Sequence, residues 1–199
     1  MRLYLLRHGQ TMANISYQYC GVTDSPLSPE GKKLLAQKRE SSTYPSIEGL
    51  DVYTSGLTRT EQTLEILYGS VPHSVERGFA EMDFGIFEGR SYDELKDTEE
   101  YQAWLAGDHI KNRCPGGESG EDVLKRVLKS VDVLLEKGRD AMVICHGGVI
   151  ALLFYHYFPD TEMNWYEVQP KNGEGYIFQY DGGKIAGYTK IPQPSEVSE

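Results

Sequence analysis

The chain has 199 residues, of which 39% are hydrophobic and 25% are charged, which is typical of one soluble globular domain with a sizeable core. Its formal net charge of −10 disfavours non-specific binding to nucleic acid or to acidic membranes. The three cysteines are odd in number and lie at no spacing typical of disulfides or zinc sites. No apolar run approaches the length of a signal peptide core or a membrane span. These features predict a cytoplasmic protein without a metal site.

The first half of the chain alternates between predicted strands and helices. Residues 2–6 form an apolar strand, and Ser28-Pro29-Glu30 starts a helix that runs to about residue 40. The segment GLDVYTS predicts a short strand, GLTRTEQTLEILYG a helix ending near Gly69, and HSVER a weak third strand.

The second half opens with a glycine-punctuated, aromatic-rich loop, RGFAEMDFGIFEGRSYDEL, that leads into a short helix; a further helix over 98–106 and a turn at CPGGESG follow. We expect the insertion at about 82–117 to form a lid. An amphipathic helix over 121–137 follows, then the apolar strand DAMVICH, the apolar helix GGVIALLFYHYF and a hairpin around Asp181. This order predicts an α/β fold with a mostly parallel central sheet, helices on both faces and a C-terminal hairpin. We expect a single domain over 1–190 and a disordered tail over 191–199.

Two of the apolar strands end in the same dipeptide, His8-Gly9 and His146-Gly147. The carboxyl ends of parallel strands meet at one edge of a sheet, where open α/β folds bind their ligands. Arg7 lies directly before His8, and an arginine at the end of a buried strand is costly to desolvate unless it meets an anion. The pattern therefore predicts an anion site built around two histidines.

Two further positions bear on this site. Arg59 falls in the first turn of a predicted helix, where a cation opposes the helix dipole unless an anion compensates it. Glu81 and Glu88 both lie in the aromatic segment FAEMDFGIFEG, and local composition does not choose between them as a proton donor.

Taken together, these motifs resemble those of the histidine phosphatase superfamily, which has the phosphoglycerate-mutase-like fold. The resemblance extends from residue 1 to about residue 155 and rests on motifs in the family's order: Arg7-His8-Gly9, Asn14, TDSPLSPEG, Arg59 in TSGLTRTEQT, Glu81 in EMDFGIFEG, PGGES and His146-Gly147. It implies a phosphohistidine enzyme that needs no cofactor, with His8 as nucleophile and Glu81 as proton donor. It also implies a phosphate pocket formed by Arg7, Asn14, Arg59, His146 and Gly147. Cys20 stands where the mutases usually have threonine, and a thiol is a weaker hydrogen-bond donor there.

Within this family, the sequence favours a phosphatase over a mutase. Mutases carry basic substrate-binding residues after the catalytic glutamate and a long insertion with paired arginines, whereas residues 82–117 contain four separated cations. The layout is similar to α-ribazole-5′-phosphate phosphatases and to bacterial broad-specificity phosphatases. We therefore expect hydrolysis of a small organic phosphate ester, and the lid aromatics (Phe84, Phe87, Tyr92, Tyr101 and Trp104) suggest a leaving group of some size.

Two alternatives stay open on the sequence. The chain could be a cofactor-dependent phosphoglycerate mutase, or a catalytically dead protein that binds a phosphate ligand. A metal-dependent phosphohydrolase is disfavoured, because the five histidines show no metal-ligand spacing.

Overall fold

The computed structural model describes residues 1–108 and 110–194. Six strands form the main sheet, in the order β4-β3-β5-β1-β6-β7. Their bounds are β1 (Arg2–Arg7), β3 (Asp51–Thr54), β4 (Ser74–Val75), β5 (Ala141–Cys145), β6 (Gly175–Asp181) and β7 (Lys184–Ile191); a separate pair joins β2 (Ser42–Thr43) to β8 (Gln193–Pro194). The first four strands of this order are parallel, and the β6–β7 hairpin adds two antiparallel strands at one edge. This confirms the predicted mostly parallel α/β fold with its C-terminal hairpin.

Helices cover both faces of the sheet. They are α1 (Met12–Ile15), α2 (Pro29–Ser41), α3 (Thr58–Tyr68), α4 (Tyr92–Leu95), α5 (Glu99–Leu105), α6 (Gly120–Lys137), α7 (Gly147–Tyr157) and α8 (Trp165–Val168), with 3₁₀ turns at Arg77–Phe79 and Gly85–Phe87. Alternate residues of β1 enter different cores, as strand geometry requires. Leu3 and Leu5 pack in the core that includes α6 and α7, and Tyr4 and Leu6 in the core that includes α2 and α3. None of the helices in the described part of the chain is both long and apolar enough to cross a membrane.

The strand register brings the two His-Gly turns together. β1 pairs in parallel with β5, with Arg7 opposite Cys145, and the His8 amide donates to the Cys145 carbonyl at 3.0 Å. Both histidines therefore leave the sheet at the same carboxyl edge, as the sequence predicts.

Strand pairing extends past residue 191, where we expect the disordered tail to begin. Gln193 and Pro194 pair with Thr43 and Ser42 in the small β2–β8 sheet, so ordered structure continues to residue 194. The rest of the predicted tail, 195–199, lies outside the described residues.

Within the segment 82–117, α4 and α5 confirm the predicted short helix and the predicted helix over 98–106, and part of the segment lies in the core. Phe87 and Tyr101 are buried and belong to the same core as α6 and α7. That this segment acts as a lid stays a prediction.

Candidate active site

A cavity of about 840 Å³ opens at the carboxyl edge of β1. Five of the predicted site residues line it: Arg7, His8, Asn14, Cys20 and Glu81. The other three, Arg59, His146 and Gly147, are buried and do not occur among the lining residues. The structure thus brings the predicted set together in two layers.

The His8 imidazole is buried (5% exposed) and held in one tautomer. Its Nδ1 lies 2.6 Å from the Gly9 carbonyl oxygen, which can only accept, so Nδ1 carries the proton and Nε2 keeps its lone pair. Burial, followed by the charges of Arg59 and Arg7, lowers the pKa of His8 well below its ordinary value. A neutral ring with a free Nε2 is what a nucleophilic histidine requires.

His146 lies behind His8, with the two ring centroids 5.2 Å apart. It is fully buried, and Arg59 Nε donates to its Nδ1 at 3.4 Å. Its Nε2 must then carry the proton, which it donates to Ser55 Oγ at 2.8 Å. Burial, with Arg59 next in size, lowers the pKa of His146 well below its ordinary value. Both ring nitrogens therefore have protein partners.

Arg7 lines the cavity and carries a buried donor without a partner in the described structure. Its Nη1 donates to the Pro170 carbonyl at 2.8 Å, whereas its Nε is buried and has no partner among the described residues. Burial lowers the pKa of Arg7, and the charge of Glu81 acts in the opposite direction. A buried, unpaired guanidinium N–H favours an anion as ligand.

The guanidinium of Arg59, 1% exposed, is fixed by a loop rather than by an acid. Nη1 donates to the Thr23 carbonyl at 2.9 Å and Nη2 to the Gly21 carbonyl at 2.7 Å. The backbone of Arg59 is also connected to the His8-Gly9 turn, since Thr63 Oγ1 donates to the Arg59 carbonyl and accepts from the Gly9 amide. A rigid network therefore connects the cation to His8.

Glu81 and Glu88, which the local sequence does not distinguish, have different surroundings in the structure. Glu81 lines the cavity, and its Oε2 accepts from the Gly148 amide at the start of α7 at 3.1 Å. Glu88 instead binds the loop that holds Arg59, accepting from the amides of Gly21 and Val22 and from Thr23 Oγ1. Its position satisfies loop donors, whereas only Glu81 of the pair faces the cavity.

Sequence reasoning missed the group that holds the Glu81 backbone. Arg126, on α6, donates to the carbonyls of Ala80 and Glu81 at 2.7 and 3.0 Å, and pairs with Glu118 at 2.9 Å. Glu118 belongs to PGGES, one of the motifs behind the resemblance, but nothing in that motif indicates its partner on the following helix.

Asn14 and Cys20 also line the cavity. Asn14 Oδ1 accepts from the Thr11 amide and from Asn172 Nδ2, which orients its amide group. Cys20 Sγ lies 3.7 Å from the Thr23 carbonyl, and burial raises the pKa of its thiol. Cys20 is therefore a neutral side chain with its weak donor turned to the protein.

The prediction for the lid aromatics is only partly right. Phe84 and Trp104 line the cavity, but Phe87 and Tyr101 are buried in the core and Tyr92 is exposed. The sequence missed aromatics from elsewhere that also line it: Tyr19, Tyr155, Trp165 and Tyr166. Over residues 1–108 and 110–194, no group of three or more His, Cys, Asp or Glu side chains is arranged to hold a metal ion.

Comparison with known proteins identifies the family of the chain. The model of the histidine phosphatase superfamily (branch 1) matches residues 3–188. The chain belongs to this superfamily. Its members are phosphatases and mutases that work through a phosphohistidine.

The proteins similar to this chain are named for several different activities. The chain is 35% identical over 157 residues to 6-phosphofructo-2-kinase/fructose-2,6-bisphosphatase 3 of Bos taurus, covering 78% of this chain and 33% of the relative. It therefore spans about a third of the length of such curated relatives. Among solved structures, an Escherichia coli protein proposed to be an alpha-ribazole-5′-P phosphatase has a TM-score of 0.79 at 25% identity, covering 98% of this chain and 96% of its own. Bacillus stearothermophilus YhfR has a TM-score of 0.74 at 28% identity, covering 92% and 93%.

Proposed function

We propose that this histidine phosphatase hydrolyses a small organic phosphate monoester through a phosphohistidine on His8. The observation that carries the proposal is the state of His8: neutral, with its proton on Nδ1 and its Nε2 free. Arg7, whose buried Nε has no partner in the described structure, and Glu81 both line the same cavity.

In the first step, the lone pair of His8 Nε2 attacks phosphorus while the bond from phosphorus to the ester oxygen breaks. Protonated Glu81 gives its proton to the departing oxygen, so the alcohol leaves neutral. The phosphoryl oxygens carry the developing charge, and Arg7 and Asn14 supply donors to them from the cavity wall. Arg59 and His146 act from behind, where the cation of Arg59 helps to keep His8 unprotonated.

In the second step, water attacks the phosphohistidine and the bond from phosphorus to nitrogen breaks. Glu81, now a carboxylate, takes one proton from this water, and inorganic phosphate leaves. The cycle restores neutral His8 and protonated Glu81, so it needs no external co-reactant.

A mutase is the second candidate, and one neighbour, a phosphoglycerate mutase from Thermus thermophilus, matches with a TM-score of 0.70 at 26% identity. Among the described lining residues, however, Arg7 is the one arginine and no lysine occurs. A bisphosphate would need further cations for its second phosphate. The site therefore supports transfer to water better than transfer between two phosphate positions.

The decisive experiment traps the intermediate. After brief mixing with a monoester labelled in its phosphate, we expect label on the protein that acid removes and base preserves. His8→Ala should abolish labelling, and His156→Ala, at an exposed histidine, should retain it. Labelling of His8→Ala would contradict the assignment.

Three further measurements separate the remaining alternatives. Phosphoglycerate mutase activity exceeding hydrolysis would favour the mutase, and phosphate binding without labelling would favour a dead binder. Complete loss of activity in excess chelator would indicate a metal-dependent reaction and reject the histidine mechanism.

A further inference from the structure

Beyond its phosphate end, the cavity is bounded by two apolar walls. One is formed by the lid side, with Tyr19, Phe84 and Trp104. The other comes from α7, α8 and the turn between them; we call its aromatic residues Tyr155, Trp165 and Tyr166 the aromatic wall. The space between the walls adjoins the residues assigned to the phosphoryl group, so it is where the alcohol part of a substrate must lie.

Hydrogen bonds hold the aromatic wall in place. The rings of Tyr155 and Trp165 are nearly parallel, with an interplanar angle of 16° and centroids 6.0 Å apart. The Tyr155 hydroxyl donates to the Met163 carbonyl at 2.8 Å, and Asn164 caps α8 by accepting from the Tyr166 amide at 3.0 Å. The wall is therefore preorganised for a flat partner, which lowers the entropy lost on binding.

The charges of the described lining residues are concentrated at one end. Arg7 is the cation and Glu81 the carboxylate among them, and both belong to the phosphate end. A second anionic group on the substrate would be removed from water between the two walls without a counter-charge, which is costly. A neutral ring would instead gain from burial and from stacking on aromatic faces.

Building on the proposed phosphatase activity, we infer that the substrate is a monophosphate ester of an otherwise uncharged alcohol that carries a planar aromatic ring. The ring lies between the aromatic wall and the lid side, with Phe84 and Trp104 opposite Trp165 and Tyr166. The cavity volume of about 840 Å³ is within the range of sites that enclose organic ligands of this size.

Three esters of primary alcohols test this inference, because their leaving groups need the same help from Glu81. They are 3-phenylpropyl phosphate, propyl phosphate and the phosphate ester of 4-hydroxybutyrate. We expect kcat/KM for the phenylpropyl ester to exceed that for the propyl ester by roughly 30-fold, as burial of one ring allows. The carboxylate-bearing ester should be the poorest of the three.

Variants of the wall identify the residues responsible. Trp165→Ala and Tyr166→Asn should each bring the ratio of phenylpropyl to propyl efficiency towards one. Tyr17→Asn is the matched control, because Tyr17 is 85% exposed, as Tyr166 is 87% exposed, but does not line the cavity. It should keep both the ratio and the activity.

Binding of 3-phenylpropylphosphonate and propylphosphonate, measured by calorimetry, gives the same preference without turnover. Equal binding of the two phosphonates, equal efficiency for the two neutral esters, or a preference for the carboxylate ester would overturn the inference. If His8 is still labelled in that case, the proposed phosphatase function stands. Absence of both turnover and label with every ester would overturn the two together.

Discussion

Glu81 is the residue whose proposed role depends most on where its carboxyl lies in the structure, because Glu88 has similar neighbours in the sequence. Glu81→Gln keeps the shape of the side chain but removes the proton that a poor leaving group needs. We expect the hydrolysis of alkyl phosphates to slow by about 10²–10⁴-fold, and that of p-nitrophenyl phosphate far less. The measurement is kcat/KM for both ester types in the same preparation.

Glu88→Gln is the matched control for this prediction. Glu88 acts through the loop at Gly21 and Thr23, so its loss should slow both ester types by a similar factor. Selective loss of alkyl ester hydrolysis in Glu88→Gln, with none in Glu81→Gln, would mean that the roles are reversed.

The Arg59 side chain is fixed by the several hydrogen bonds that its planar guanidinium donates. Arg59→Lys keeps the charge but cannot donate to the Gly21 and Thr23 carbonyls and to His146 at once. We expect kcat/KM to fall about 10²-fold, comparable to the loss of one preorganised donor, with weaker inhibition by vanadate. Arg39→Lys, at an exposed arginine on α2 that bonds only the Ile66 carbonyl in the described structure, should change neither quantity.

At the scale of elements, the start of α7 contacts the carboxyl of Glu81, the proposed proton donor. A methyl group on Gly148 would lie 2.6 Å from Glu81 Oε1, so the carboxyl must move. We expect Gly148→Ala to reproduce the leaving-group dependence of Glu81→Gln, although it leaves the carboxyl itself unchanged. Gly187→Ala, where a methyl group meets nothing within 4 Å, is the control, and steady-state kinetics on the two ester types is the measurement. Unchanged alkyl ester hydrolysis in Gly148→Ala would show that this contact does not place Glu81.

The elements also show what the sequence could and could not predict. Long elements with clear signals, such as α2 with Ser28 at its N-cap or α6 with Gly138 at its end, were predictable from capping and periodicity. The short helix α8 was missed because four residues carry no measurable periodicity. Its two cavity aromatics, Trp165 and Tyr166, were missed with it.

The candidate site was predictable for a related reason. His8 and His146 follow strong strand signals, and parallel strands place their ends together. Contacts made by loops have no such rule, so neither the Glu88 interaction with Gly21 nor the support of Glu81 by Arg126 could be predicted from the sequence.

For the whole molecule, two buried neutral histidines make stability depend on pH. Burial lowers the pKa of His8 and His146 well below the ordinary value of 6.5, so below about pH 6.5 the unfolded chain binds more protons than the folded one. The free energy of unfolding should therefore be fully retained above this pH and fall as the pH drops, by up to ~1.4 kcal/mol per pH unit for each histidine.

Urea unfolding at pH 7.5 and pH 5.5 checks this expectation. His8→Gln should lose less stability between the two pH values than the unmodified protein, by ~1 kcal/mol. His156→Gln, at an exposed position, should lose as much as the unmodified protein. An identical loss in all three proteins would show that His8 does not contribute.

The pairing of β1 with β5 also has a kinetic consequence. His8, the proposed nucleophile, follows a strand at residues 2–7, but the neighbouring strand that positions His146 begins only at residue 141. Closing so long a loop is slow compared with forming local helices. Activity should thus return late in refolding from urea, after most helical circular dichroism has recovered. Early return of turnover would mean that the first and last parts of the sheet meet before the helices between them form.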